Sequence, residues 1–110
     1  MLRVTWNLDY IVMLNTTLFF VPSRNEIHKT IKLLREKLAS SSLREEYNEP
    51  TRIGYEAAIH ILKNRIKDYS KVPILELSYT KSRAIALLAV DYLNGACDGE
   101  ILLKVPYIEV

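Results

Sequence analysis

The chain has 110 residues, 49% apolar and 25% charged, and its 15 basic and 13 acidic side chains leave a net charge of +2. That length fits a single domain over residues 1–110, able to bury about two-thirds of its unfolded surface without a disulfide or metal staple, and the composition excludes a disordered chain. The charge balance predicts neither a nucleic-acid nor a membrane partner, and the lone cysteine, Cys97, excludes an intrachain disulfide and points to a reducing compartment.

Residues 10–21 are rich in Tyr, Ile, Val, Thr and Phe, which predicts a strand ended by Pro22 and Ser23. The apolar run "YIVMLNTTLFFV" is interrupted by Asn15, Thr16 and Thr17. At about a dozen residues it is too short to span a bilayer, and it lacks the flanks of a targeting segment. Asn15-Thr16-Thr17 matches a glycosylation sequon, a reading that a reduced chain and an apolar strand disfavour. From Arg24 to Ala39, Ile27, Ile31, Leu34 and Leu38 recur at three- and four-residue steps, predicting an amphipathic helix with Ser23 as N-cap. "SSSLREEYNEP" reads as a polar loop.

A second helix is expected from about Arg52 to Ile66, capped by Thr51, with Ile53, Ala57, Ile61 and Leu62 as its buried stripe. Val72 to Ser78 reads as a strand, held to a strand start or an edge by Pro73. The segment 83–93 is ambiguous. Its alanines and leucines favour a helix that Gly95 could cap, whereas its unbroken apolar run fits a central strand buried on both faces. Asn94-Gly95 and Asp98-Gly99 are turn signals before a final strand, Ile101 to Val110. The expected fold class is therefore α+β: a single domain with a mixed β-sheet flanked by two main helices.

Few motifs carry chemistry. His28 and His60 lie on different helices and Cys97 in a late turn, so solvent-edge histidines are preferred to a metal site and no cofactor is expected. No glycine-rich elbow precedes a serine, and three glycines cannot supply a phosphate loop. Glu45-Glu46 reads as a solvated pair. The Gly54-Tyr55 step is less ordinary, because glycine near the start of a helix lets a ligand approach free backbone N–H groups. Tyr55 would add a ring for base stacking and a hydroxyl for phosphate. The structural alternative is that Gly54 relieves packing against a neighbouring strand, with Tyr55 half buried.

"LNT" at Leu14 to Thr16, "IGYEAA" at Ile53 to Ala58, "LELSY" at Leu75 to Tyr79 and "YIEV" at Tyr107 to Val110 occur in this order. The pattern resembles the small viral ring nucleases, anti-CRISPR proteins of archaeal viruses and phages that degrade the cyclic tetra-adenylate of type III systems. The resemblance implies a mixed sheet, segment 83–93 as a strand, and a homodimer in the host cytoplasm with its ligand across the two-fold axis. It implies that Asn15 and Gly54 line the ligand site and that Tyr55 occupies the position of the family's catalytic histidine. Ile74 falls where the family has an arginine, and Tyr92 and Asn94 fall near its other charged positions. A tyrosine with a pKa near 10 is a poor general acid at neutral pH, and the missing arginines would cost charge-assisted hydrogen bonds. The resemblance thus implies a divergent relative that binds a cyclic oligoadenylate or similar nucleotide through Asn15, Gly54 and Tyr55, with weak or lost cleavage. The alternative is a protein–protein interaction module of viral origin with no small-molecule ligand, for which Trp6, Tyr10 and Tyr107 would be aromatic anchors. Non-specific nucleic-acid binding has only the pI of 8.7 in its favour.

Overall fold

The computed structural model describes residues 20–109, and among them there is helix and no strand. Helix α1 spans Arg24–Leu38, α2 Glu49–Asn64, α3 Thr80–Leu93 and α4 Glu100–Leu103. Single 3-10 turns at Ser42–Arg44, Glu46–Asn48, Tyr69–Lys71 and Ile74–Glu76 make up much of the connections. The expected α+β class with its mixed sheet is therefore corrected to an all-helical domain over these residues. The strand expected at 10–21 lies, but for its last two residues, outside the described residues.

α1 starts where its local chemistry directs. The Glu26 N–H donates to Ser23 Oγ at 3.2 Å, and the Ser23 N–H donates to Glu26 Oε1 at 2.8 Å, a complete capping box. The Ser23 backbone N–H, and then its side chain, hold the Glu26 carboxyl below its ordinary range. Ser23→Ala removes one arm and is expected to destabilise the fold by about 1 kcal/mol in urea unfolding. Ile27, Ile31 and Leu34 carry the inward face of α1, as their spacing requires.

α2 begins earlier than expected, at Glu49, with Pro50 in its first turn where a missing N–H costs nothing. Thr51 is not its cap; it lies inside the helix, 1% exposed. The buried stripe is also rotated. Ile61 and Leu62 are buried, but Ile53 and Ala57 are only half-buried, and Thr51, Gly54, Tyr55, Ala58 and Ile59 face inward.

The ambiguous segment is helix α3, not a central strand. Ile85, Ala86, Ala89, Val90 and Leu93 form its buried face at helical spacing. Gly95 ends it in the left-handed region at φ 76°: the Gly95 N–H bonds Tyr92 O at 3.0 Å and the Ala96 N–H bonds Asp91 O at 2.8 Å, a Schellman stop. The expected strand at 72–78 is one 3-10 turn, Ile74–Glu76, with its linkers, in which Val72, Ile74 and Leu77 lean on the core. Pro73 removes a ladder donor there, and the Leu77 N–H closes a tight turn onto Ile74 O. The expected final strand is helical over Glu100–Leu103 and then extended without a sheet partner among the described residues.

The most extensive helix pair is α2 with α3, and α1 lies across α2. One continuous core joins Leu34 of α1, Leu43, Tyr55 and Leu62 of α2, Val90 and Leu93 of α3, and Leu102 of α4. Two buried hydroxyls tie its polar seams. Ser82 donates to Pro50 O at 2.6 Å. Thr30 gives its one proton to Glu26 O at 3.0 Å, which leaves the Tyr92 hydroxyl to donate to Thr30 Oγ1 at 3.2 Å. No helix of the described residues is long and apolar enough to cross a membrane.

Candidate functional site

Of the positions expected to bind ligand, Gly54 and Tyr55 reach no open surface. Asn15 lies outside the described residues, as do Trp6 and Tyr10. Gly54 and Tyr55 are buried where α2 crosses α3, and Tyr55 is 0% exposed. A Cβ built on Gly54 would lie 2.6 Å from Ile85 Cδ1 and 2.9 Å from Ile85 Cβ. The glycine is there so that α3 can approach, and no ligand shares that space. The Tyr55 hydroxyl donates to Val105 O at 3.4 Å, and burial, with a smaller contribution from Tyr107, pushes its pKa up to about 12. Position 55, where the resemblance places the family's catalytic histidine, carries a core side chain with one internal hydrogen bond.

The positions near the family's charged residues are also accounted for by packing. Ile74 leans on the core, Tyr92 is buried against Thr30, and Asn94 Nδ2 donates to Lys67 O at 2.9 Å. "LELSY" spans the turn and linker before α3, not a strand.

His28, His60 and Cys97 do not converge, and no group of three potential metal ligands forms among the described residues. His60 is tied within α2, where Asn64 Nδ2 lies 3.3 Å from its Nδ1. Burial, then Asp91 and Asp98, push the Cys97 thiol up to about 11. At neutral pH it is protonated and a poor nucleophile.

A different feature stands out along α1 where it meets the last turn of α2. His28, Ile31, Lys32, Arg35, Glu36 and Ala39 fall at three- and four-residue steps along that helix and its cap. With Lys63 from the last turn of α2 they line an open cleft of about 570 Å³. Its surface is mainly apolar, and its lining carries the cations Lys32, Arg35 and Lys63 and one carboxylate, Glu36. Among the described residues neither Lys32, Arg35 nor Lys63 has a carboxylate within 4.0 Å; the ion pairs there are Arg52–Glu49 and Lys104–Glu100. Arg35 and Lys63 sit in last turns, where they also complement the negative ends of their helices. Lys32 and His28 lie earlier and have no such role.

The sequence shows the charged face of α1 but not that Lys63 joins it, because the two helices meet only in the folded chain. Compared with protein-family models, curated proteins and solved structures, the chain has no significant match to any.

Proposed function

We propose that the protein is a protein–protein interaction module whose α1–α2 cleft docks a partner segment carrying acidic side chains and an apolar anchor. The observation that supports this is the cleft itself: a mainly apolar floor, with Lys32, Arg35 and Lys63 around it that have no ion-pair partner among the described residues, and Glu36 as the one lining carboxylate. An apolar side chain seated on the floor gains from leaving water, and rim cations favour carboxylates while steering encounter. No step of covalent chemistry is asked of any residue.

A second reading uses the same cations. In the divergent ring-nuclease reading a homodimer binds a cyclic oligoadenylate without effective cleavage, and a rim of Lys32, Arg35 and Lys63 would suit its phosphates. In this form the ligand contacts move from Asn15, Gly54 and Tyr55 to the α1–α2 cleft.

Fluorescence anisotropy separates the two. The probes are a labelled twelve-residue peptide alternating Glu and Leu, and labelled cyclic tetra-adenylate. The peptide is expected to bind in a salt-sensitive way, with Lys32→Glu plus Arg35→Glu weakening it on the order of tenfold, as two rim charges worth up to ~1 kcal/mol each require. Binding of the nucleotide alone, lost in the same variant, would favour the second reading. Peptide binding indifferent to the charge reversal would remove the cleft from both.

A further inference from the structure

The cleft along α1 also dictates the backbone form of the segment it docks. Six of its seven lining residues belong to α1 or its cap, and they run from His28 to Ala39. At 1.5 Å per residue the cleft is about 16 Å long and follows the helix. Ile31 is only 6% exposed, so the mainly apolar surface draws on Ala39 and on the methylene stems of Lys32, Arg35 and Lys63.

The walls offer little to a main chain. α1 makes its backbone bonds within itself, down to the Ala39 N–H on Arg35 O at 3.0 Å. Of the lining side chains, Lys32, Arg35 and Lys63 can only donate, which leaves the Glu36 carboxylate and a His28 ring nitrogen to accept. An extended segment laid in the cleft would turn N–H groups toward apolar surface that has almost no acceptor for them. Each one so covered loses water without a replacement. A helix arrives with its N–H and C=O groups already paired and presents only side chains.

Spacing favours the same form. Ile31, Arg35 and Ala39 follow one another at four-residue steps, about 6 Å apart along the axis, and Lys32 lies three residues before Arg35. A second helix lying alongside repeats at the same three- and four-residue steps. It keeps one apolar stripe over the cleft while acidic residues on its two borders meet Lys32 and Arg35 from α1 and Lys63 from α2. A second copy of the chain is a poor occupant, because α1 packed on its own copy would set Lys32 and Arg35 against like charges.

We infer that the cleft receives its partner as an amphipathic helix of about three turns, acidic along both borders of a single apolar stripe. The inference rests on the function proposed above and adds to it the kind of segment that docks. A free peptide of that length is mostly unfolded in water, so the partner segment orders on docking. Its affinity then depends on helix propensity as well as on charge.

The test sets three labelled twelve-residue peptides of identical composition and charge against the full chain. The first alternates glutamate and leucine, so its leucines share a face only when it is extended. The second moves the same leucines to three- and four-residue steps. The third is the second with two central glutamates in the D form, which disfavours a right-handed helix. By fluorescence anisotropy the second is expected to bind on the order of tenfold more tightly than the first, and the third to fall back to the first's level. Lys32→Glu plus Arg35→Glu is expected to weaken the second peptide. Equal binding of all three, or tighter binding of the alternating one, would overturn the helix inference and leave the cleft as a site for acidic segments. No binding by any of them would overturn the function proposed for the cleft, and the inference with it. Binding of the second peptide that ignores the charge reversal would place it elsewhere on the chain and overturn the inference.

Discussion

Gly54→Val is expected to destabilise the protein by about 3 kcal/mol, the upper range for overpacking a filled core. The cause is the crossing of α2 and α3, where even a bare Cβ would lie 2.6 and 2.9 Å from two carbons of Ile85. Ile85 is itself 1% exposed and has little room to retreat. Ile85 Cδ1 is the free end of a side chain, but Cβ moves only if the helix moves. Gly54→Ala sets two effects against each other: alanine gains roughly 1 kcal/mol of helix propensity, and its Cβ meets the same contacts. The clash is expected to win, with a net loss of about 1 kcal/mol in urea unfolding. Shortening the neighbour tests the cause. In Gly54→Ala plus Ile85→Ala the two losses should combine to less than their sum, because each removes part of the other's problem. If Gly54→Ala alone stabilises the protein, the close approach of the two helices is wrong.

The same residue shows how far the sequence could be read. α1 was legible in full, because its signals are local: a Ser-x-x-Glu capping box and apolar residues at helical steps. α2 was legible as a helix but not in its register. Its apolar spacing suggests a stripe through Ile53, Ala57, Ile61 and Leu62, whereas the buried face runs through Gly54, Tyr55, Ala58, Ile61 and Leu62. A glycine that admits a ligand and one that admits a neighbouring helix look alike until the neighbour is known.

In segment 83–93, alanine-rich composition and Gly95 were the telling signals, since both act within the helix and its stop. The apolar run that suggested a buried strand is equally what a helix needs when α2 covers one of its faces. The branched stretch at 72–78 misleads for the opposite reason. Its residues favour strands, but a strand needs a partner, and among the described residues none is offered. The cleft was the least legible feature, because Lys63 stands far from Lys32 in sequence and the α1 cations read simply as a solvated face.

Tyr55 carries the other large effect, and its pH dependence tests the environment that removes it from chemistry. Tyr55→Ala empties the middle of the α2 face and is expected to cost about 3–5 kcal/mol, as for other large aromatic truncations. Tyr55→Phe keeps the ring and loses only a long hydrogen bond to Val105 O, so about 1 kcal/mol or less is expected at neutral pH. The two substitutions therefore separate the ring from the hydroxyl.

Alkaline pH then isolates the hydroxyl. In the folded chain its pKa is pushed up to about 12 by burial, whereas in the unfolded chain it titrates near 10. Between these values the unfolded state has released the proton and the folded state still holds it, so stability falls as pH rises. The stabilisation is complete below pH 10 and is lost through pH 12, by about 2–3 kcal/mol in all. Other groups titrate in this window, Tyr69 among them, which its hydrogen bond to Asp91 also pushes up to about 12. The difference between wild type and Tyr55→Phe cancels them. Wild type is expected to be equal or slightly more stable at pH 9 and clearly less stable at pH 12. Parallel curves would mean that the Tyr55 hydroxyl reaches water in the folded chain, and would return to position 55 the chemistry that its burial takes away.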